Sequence, residues 1–181
     1  MPWRLIKTII VLPGNVLVFI PAVILWIAKD TKYSAELATA YQLSFWFALV
    51  AGSIGFGLAF WTVTIFMEFG QGTPAPWDPP KKFVVRGPYR RVRNPMIIGV
   101  LLLLLAEAMM LQSRPIAAWM IVFFIGNAIY FPFVEEKGLE KSFGKNYRQY
   151  KAHVPRWIPR IYPWKQVNDD GDTGSVHGIS D

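Results

Sequence analysis

Two charged clusters of this sequence contain the residues best suited to bind a ligand, and the first is the stretch Arg86–Met96, RGPYRRVRNPM, with its four arginines. Asn94 followed by Pro95 is typical of a helix start, with asparagine as the N-cap and proline in the first turn. A helix N-terminus beside Arg90 and Arg93 suits an anion such as a carboxylate or a phosphate. The alternative is that these arginines bind anionic lipid headgroups and only orient the protein in a membrane.

The second cluster is the acidic pair Glu135 and Glu136, which ends an apolar segment. A carboxylate at a helix C-terminus opposes the helix dipole. We therefore expect a compensating positive charge, which is either a nearby arginine or a cationic ligand. Glu107 and Glu68 lie within or at the end of other apolar segments, and each is a further candidate for lining a cavity.

The composition indicates a membrane protein. Of the 181 residues 53% are hydrophobic and 15% aromatic, and the formal charge is +7. The cations lie between apolar runs of about 18 residues or more, which argues against a nucleic-acid binder. Cysteine is absent, so disulfides, thiolate metal sites and cysteine nucleophiles are excluded. Two histidines in the whole chain argue against a histidine-rich metal site, and we predict no metal.

Four apolar segments are long enough to cross a bilayer. They are predicted at residues 9–28, 41–69, 95–112 and 116–134. Pro13 and Pro21 interrupt the first of them, so a re-entrant path is the alternative there. In the second, the glycines of GSIGFG predict close helix packing rather than a nucleotide-binding loop, because no strand precedes them.

Lysine and arginine near the ends of these segments predict the orientation. Two such residues precede the first segment, six lie between the second and third, and eight follow the fourth, whereas the opposite side has only Lys29, Lys32 and Arg114. Both termini and the central loop are therefore predicted to face the cytoplasm, in a bacterial inner membrane.

The sequence after the acidic pair predicts a capping element. Apolar residues recur at spacings of four, four and three, at Leu139, Phe143, Tyr147 and Tyr150. This spacing predicts an amphipathic helix that lies on the membrane or caps the bundle. Prolines every four residues follow, at Pro155, Pro159 and Pro163, and predict an extended segment suited to the headgroup zone.

The predicted fold class is thus all-α: a polytopic membrane protein with about four transmembrane helices, a C-terminal amphipathic helix and an extended cytoplasmic segment. Residues 1–165 are predicted to form one membrane domain. Residues 166–181 are predicted to be a disordered acidic tail.

Three motifs, taken in order, resemble a known superfamily. GPYRRVRNPMIIG, then the acidic pair, then FGKNYRQYKAHVPRWIP are similar to the isoprenylcysteine carboxyl methyltransferase and phospholipid methyltransferase superfamily of integral membrane enzymes, over about residues 87–159. The resemblance implies S-adenosyl-L-methionine as methyl donor, bound between the last spans and closed in by the C-terminal segment. It implies that the cofactor-binding residues are Tyr89, Arg90, Arg93, Asn94, Pro95, Gly99, Glu135, Glu136, Tyr147 and Tyr150, with Arg93 and Glu136 also catalytic.

Two departures from the family pattern bear on the mechanism. Asn94 stands where the family usually has histidine, and Ile97 stands where an aromatic residue is usual. Asparagine does not take up a proton at neutral pH, so a histidine base at this position is ruled out. A carboxylate or thiolate acceptor needs no base, whereas an amine or hydroxyl acceptor needs one, for which Glu136, Glu107 or a tyrosine is a candidate.

The acceptor that the resemblance implies is a membrane-dissolved amphiphile, such as a prenylated or acyl lipid, because the pocket opens between helices. Two other functions remain open at this stage. One is a non-catalytic membrane protein that binds anionic lipid through its basic loops. The other is an enzyme related to sterol reductases, which would bind a nicotinamide cofactor instead.

Overall fold

In the computed structural model, the described residues are 10–70 and 83–164, and they form helices joined by turns and extended segments. The predicted acidic tail, residues 166–181, lies outside the described residues. The helices are α1 Ile20–Ala28, preceded by the π-helical Ile10–Phe19, then α2 Leu43–Gly70, α3 Pro95–Met110, α4 Arg114–Tyr130, the π-helical Phe131–Glu135 and α5 Glu136–His153. Within the described part the fold is all-α, as predicted.

Two of these helices are long and apolar enough to cross a membrane, by length and composition. They are Leu43–Phe69 and the continuous helical run Arg114–His153. Two further apolar helices, Pro13–Ala28 and Pro95–Met110, are shorter. The 16 residues of Pro95–Met110 rise about 24 Å, less than the roughly 30 Å of a hydrocarbon core. Crossing by all four segments therefore stays a prediction.

Glycines set the distance between α2 and α3. A Cβ atom built on Gly55 would lie 2.8 Å from the carbonyl oxygen of Gly99, and one on Gly99 would lie 3.0 Å from the backbone nitrogen of Ala59. Both distances are too short for a real side chain, so the two helix backbones touch at this crossing. The prediction of packing through small residues is confirmed at Gly55, whereas Gly57 faces open space.

The helical run from α4 to α5 widens at one point, Phe131–Glu135. Pro132 lies in this segment, and proline has no N–H group and its ring clashes with the carbonyl of the residue four positions earlier. The backbone adopts π-helical turns at this proline, and such turns are frequent at functional sites. The apolar part of the run ends here, at Val134, and the acidic pair follows.

The amphipathic helix α5 caps the bundle. Its stripe residues Tyr147 and Tyr150 are buried and form an apolar cluster with Val154, and Phe83 packs against this cluster. The aromatic rings of Phe83 and Tyr150 are 5.3 Å apart, edge to face. Of the two alternatives for this helix, the structure therefore supports packing on the protein. The helix kinks at Gly144, whose φ of +52° lies in the left-handed region that favours glycine.

Residues 154–164, which we call the strap, run without helix across the arginine-rich stretch. The strap and the stretch exchange three backbone hydrogen bonds: Arg93 N to Pro155 O at 2.9 Å, Arg160 N to Arg91 O at 2.9 Å, and Trp164 N to Arg90 O at 2.8 Å. The segment is free of helix, as the prolines predict, but bends at residues 154, 156–158 and 161–162 interrupt the extended course that was predicted. These bonds bring the first and the last of the three sequence motifs together, although more than 60 residues separate the bonded residues in sequence.

Candidate active site

A cavity of about 400 Å³ lies where α3 begins and the apolar part of α4 ends. Its lining includes a group of polar residues, which we call the polar end: Tyr89, Arg93, Asn94, Glu135, Glu136, Tyr147 and Tyr150. It also includes a group of apolar residues, which we call the apolar arm: Pro13, Val16, Phe66, Met96, Val100, Phe123 and Phe131. A cavity that joins charged groups to an apolar compartment can hold a polar molecule next to an apolar one.

Glu136 is the centre of a buried ion cluster. Its Oε1 accepts hydrogen bonds from Arg93 Nη1 and Arg156 Nε, both at 2.8 Å, and its Oε2 lies 3.3 Å from Lys151 Nζ. The residue is only 3% exposed. Burial alone would raise the pKa of Glu136, but the hydrogen bond from Arg156 and the charges of Arg93 and Arg156 outweigh it and hold the pKa below its usual value. The predicted compensating charge at the acidic pair thus consists of protein cations.

Two hydrogen-bond donors at the polar end are buried without a partner, Arg93 Nε and Asn94 Nδ2. Asn94 occupies the N-cap position of α3, but its side chain makes no capping bond. This corrects the predicted capping role. Its φ of −117° and ψ of 57° lie outside the extended region from which N-cap side chains reach the first turn. Buried donors of this kind require a partner, and both line the cavity.

Glu135 lines the same end of the cavity and differs from its neighbour. Its side chain is exposed to the cavity. The protein atoms of the cavity wall surround its carboxyl group and partly bury it. That burial, followed by the charge of Glu136, raises the pKa of Glu135 to about 7. The charge of Glu135 therefore depends on what binds beside it, because a cation lowers the pKa of a neighbouring carboxyl group.

Three tyrosines complete the polar end. The hydroxyl of Tyr150 donates to the carbonyl oxygen of Tyr89 at 2.7 Å. Burial raises the pKa of Tyr89, Tyr147 and Tyr150 above the usual value. These phenols stay protonated at neutral pH, so they act as hydrogen-bonding and packing groups rather than as bases.

Not every residue of the predicted set lines the cavity. Pro95 does, at the first turn of α3. Arg90 does not, and its Nε donates to the carbonyl oxygen of Trp164 at 2.9 Å, which fastens the strap. Gly99 packs against α2, as described above. Glu68 and Glu107, the two other acidic candidates, also lie outside the cavity lining.

Sequence reasoning missed three residues of the site. Arg156 and Lys151 bind Glu136, and their positions carried no recognisable signal because nothing in the spacing shows that the strap and the last turn of α5 fold back towards Glu136. Asn127 lines the cavity on α4, where its Nδ2 donates to the carbonyl oxygen of Phe123 at 2.8 Å. Here a signal existed, since Asn127 is a single amide inside a long apolar run.

Apolar helices long enough to cross a membrane, together with a cavity lined by both charged and apolar side chains, are typical of helical membrane proteins that bind a ligand at the edge of the apolar region. The chain belongs to the phospholipid methyltransferase family, whose model matches residues 43–146. Enzymes of this family use S-adenosyl-L-methionine as methyl donor. The matched region contains both predicted catalytic residues and eight of the ten predicted cofactor-binding residues, while Tyr147 and Tyr150 lie beyond it.

The chain is also similar to methanethiol S-methyltransferase 2 of Bradyrhizobium diazoefficiens. The two are 31% identical over 81 residues, which amount to 45% of this chain and 30% of that protein. The similarity thus spans less than a third of the relative's length.

Proposed function

We propose that this chain transfers a methyl group from S-adenosyl-L-methionine to an apolar or amphiphilic acceptor that enters the cavity through its apolar arm. Membership of the phospholipid methyltransferase family supports the reaction. The observation that carries the assignment to this cavity is the pair of buried donors without partners, Arg93 Nε and Asn94 Nδ2, which belong to residues lining the same cavity as Glu135.

The residues at the polar end fit the cofactor's charges. The carboxylate of S-adenosyl-L-methionine matches Arg93, Asn94 and the free amides of the first turn of α3. Its ammonium and sulfonium groups match Glu135, whose side chain is open to the cavity. When bound, the cofactor supplies a methyl group already activated by the positive sulfur.

The chain's own residues position the reactants and keep water out. Glu136 holds Arg93 in place through the 2.8 Å ion pair, which makes Glu136 a positioning residue and leaves Arg93 to contact the cofactor. Glu136 is a poor base, because three cations hold its charge. An acceptor that is already an anion, such as a carboxylate or a thiolate, therefore suits this site best.

The primary acceptor candidate is a membrane-dissolved amphiphile, since the apolar arm is lined by residues from the first helical segment, α2, α3 and α4. A small thiol is the second candidate. It is favoured by the similarity to a protein named methanethiol S-methyltransferase 2, and a thiolate shares with a carboxylate the property of needing no base.

Calorimetric binding of S-adenosylhomocysteine to the detergent-purified protein tests the proposal. We expect saturable binding by the wild type and by Glu140→Ala, whose carboxylate lies outside the cavity lining, and strongly weakened binding by a folded Arg93→Ala variant. A folded wild type that binds no S-adenosylhomocysteine overturns the proposal. Binding of a nicotinamide cofactor in its place would support the reductase alternative.

A methylation screen then separates the two acceptor candidates. Tritiated S-adenosyl-L-methionine would be incubated with the protein and either a prenylated thioether carboxylate or a short alkyl thiol. Transfer to one class and not to the other identifies the acceptor chemistry. Transfer to neither, by a protein that binds S-adenosylhomocysteine, would exclude both acceptors while leaving the cofactor assignment intact.

A further inference from the structure

The outer face of the strap carries large apolar side chains that the described protein leaves uncovered. Ile158, Ile161 and Tyr162 are 78%, 83% and 78% exposed. They are grouped within residues 158–162 and do not belong to a helix. A concentrated group of exposed apolar side chains marks a surface that binds something apolar.

The strap presents these side chains from a backbone that is held at both ends. At one end Trp157 packs edge to face against Phe124 and Phe131, with ring centroids 5.2 and 6.2 Å apart. At the other end Trp164 packs on Tyr150 at 5.7 Å. The prolines of the strap lack N–H groups and restrict the chain further. The exposed face is therefore a built surface.

The strap lies beside the end of the apolar part of α4. Its anchor Trp157 contacts Phe131, and the neighbouring Phe133 and Val134 are 64% and 53% exposed. After Val134 the chain becomes charged. Trp157 therefore touches the boundary between the apolar and the charged surface of the protein, and Ile158 is the next residue. The headgroup region of a bilayer would meet the protein at this boundary.

The charge around the exposed group is positive. Arg160 lies in the strap two residues after Ile158, and Arg91, to which the strap is hydrogen-bonded, is exposed. Apolar and aromatic side chains interleaved with arginine complement a surface that is anionic outside and apolar beneath. We infer that the outer face of the strap binds the anionic surface of a lipid bilayer, with Ile158, Ile161 and Tyr162 inserted among the headgroups.

This contact has a consequence for the cavity, which rests on the function proposed above. The inner side of the strap supplies Arg156 to Glu136 and the Pro155 carbonyl oxygen to the backbone of Arg93. A bilayer that holds the outer face thereby also holds the strap residues that contact Arg93 and Glu136. The membrane would stabilise this arrangement of the two residues without touching the cofactor.

The experiment uses the absence of native cysteine. Single cysteines are introduced by Ile158→Cys, Ile161→Cys and Tyr162→Cys, with Arg148→Cys on the polar face of α5 as the matched exposed control. Each protein is labelled with a thiol-reactive bimane and placed in nanodiscs of phosphatidylcholine and phosphatidylglycerol that carry a nitroxide near the headgroup. We expect the lipid nitroxide to quench the three strap positions at least about threefold more steeply than position 148.

Equal quenching at the strap and at position 148 overturns the inference. Shielding of the strap labels from aqueous iodide without quenching by lipid nitroxide also overturns it, because the cover would then be protein, such as a second copy of the chain. Replacing phosphatidylglycerol by phosphatidylcholine should lower the strap quenching, and no change would contradict the anionic part of the inference. None of these quenching measurements requires a cofactor or enzymatic activity, so their outcome is independent of the test of the proposed function.

Discussion

Glu136 links three parts of the chain, of which the first is far from the other two in sequence. Arg93 comes from the stretch before α3, Lys151 from the last turn of α5, and Arg156 from the strap. A buried carboxylate with this many cations is costly to disturb, because removing it leaves positive charges buried and unpaired. The first prediction concerns this cluster.

Glu136→Gln should lower the free energy of unfolding by roughly 3 kcal/mol, since the buried cations lose their counter-charge. Glu140→Gln is the matched control, because Glu140 is a third exposed and has one longer contact, 3.8 Å to Lys151. It should cost less than about 1 kcal/mol. Thermal unfolding in detergent measures both, and equal losses in the two variants would contradict the central role of Glu136.

The stabilisation that Glu136 provides, measured as the difference between wild type and Glu136→Gln, should depend on pH. The pKa of Glu136 lies below its usual value of 4.5 in the folded protein. Its stabilisation is therefore complete above about pH 4.5 and is lost as the pH falls through the lower, folded pKa. The difference in unfolding midpoint between wild type and Glu136→Gln should be constant near neutrality and shrink in acid. A difference that grows on acidification would contradict this.

Asn94→Ala should weaken S-adenosylhomocysteine binding and leave stability unchanged. In the described structure Asn94 Nδ2 has no partner and the side chain caps nothing, so the free protein loses no hydrogen bond. A bond to a cofactor carboxylate would be lost, which corresponds to roughly tenfold weaker binding, or about 1.4 kcal/mol. Calorimetry and thermal unfolding are compared with Asn146→Ala, an exposed asparagine of α5. A fall in stability with unchanged affinity would make Asn94 a structural residue instead.

At the scale of elements, the crossing of α2 and α3 positions the start of α3 and with it Arg93 and Asn94. Gly55→Ala should cost about 1–3 kcal/mol of stability, because its Cβ would lie 2.8 Å from Gly99 O and 2.9 Å from Leu102 Cβ. Gly57→Ala on the same helix is the control, since nothing lies within 4 Å of its added Cβ. It should be neutral or slightly stabilising. Similar unfolding midpoints for both variants would show that the helices are not in contact here.

The elements differ in how far the sequence predicted them. The stripe of α5 was predictable because its spacing repeats the helical period, and the absence of helix in the strap was predictable because its prolines recur. The wide turn Phe131–Glu135 was not predicted, although Pro132 marks it. A proline inside a helix has several structural solutions, and packing decides among them. Asn94 was correctly predicted as the N-cap residue of α3, but its side chain makes no capping bond, because residue type alone does not set the backbone angles of a cap.

At the scale of the whole molecule, the site depends on contacts between distant parts of the chain. Sequence motifs identified Arg93, Asn94 and the acidic pair, and the structure places all four at one cavity. The role of Arg156 was not predictable, because the path of the strap is determined by backbone hydrogen bonds to residues 90–93 that leave no pattern in the sequence. The charged residues of the ion cluster can be read from the sequence, but which of them pair with Glu136 is determined by the fold.

The distribution of cations over the folded molecule leads to the last prediction, which concerns orientation. The loop after α1 docks on the C-terminal end of α3, with Ala38 N donating to Met110 O at 2.7 Å. The arginine-rich stretch, by contrast, precedes the N-terminal end of α3 and binds the strap. The few cations near Lys32 and the many near Arg148 therefore lie at opposite ends of α3. By the positive-inside rule, the end with more cations should face the cytoplasm.

Single cysteines introduced by Lys32→Cys and Arg148→Cys test this orientation, since both native residues are exposed and the chain has no cysteine of its own. In intact bacterial cells a membrane-impermeant maleimide should label position 32 and leave position 148 unlabelled. In inverted membrane vesicles the pattern should reverse, which provides the control for reactivity. Labelling of position 148 in intact cells would contradict the predicted topology, and would place the cavity's polar end, with Arg93 and Glu135, away from the cytoplasmic supply of cofactor.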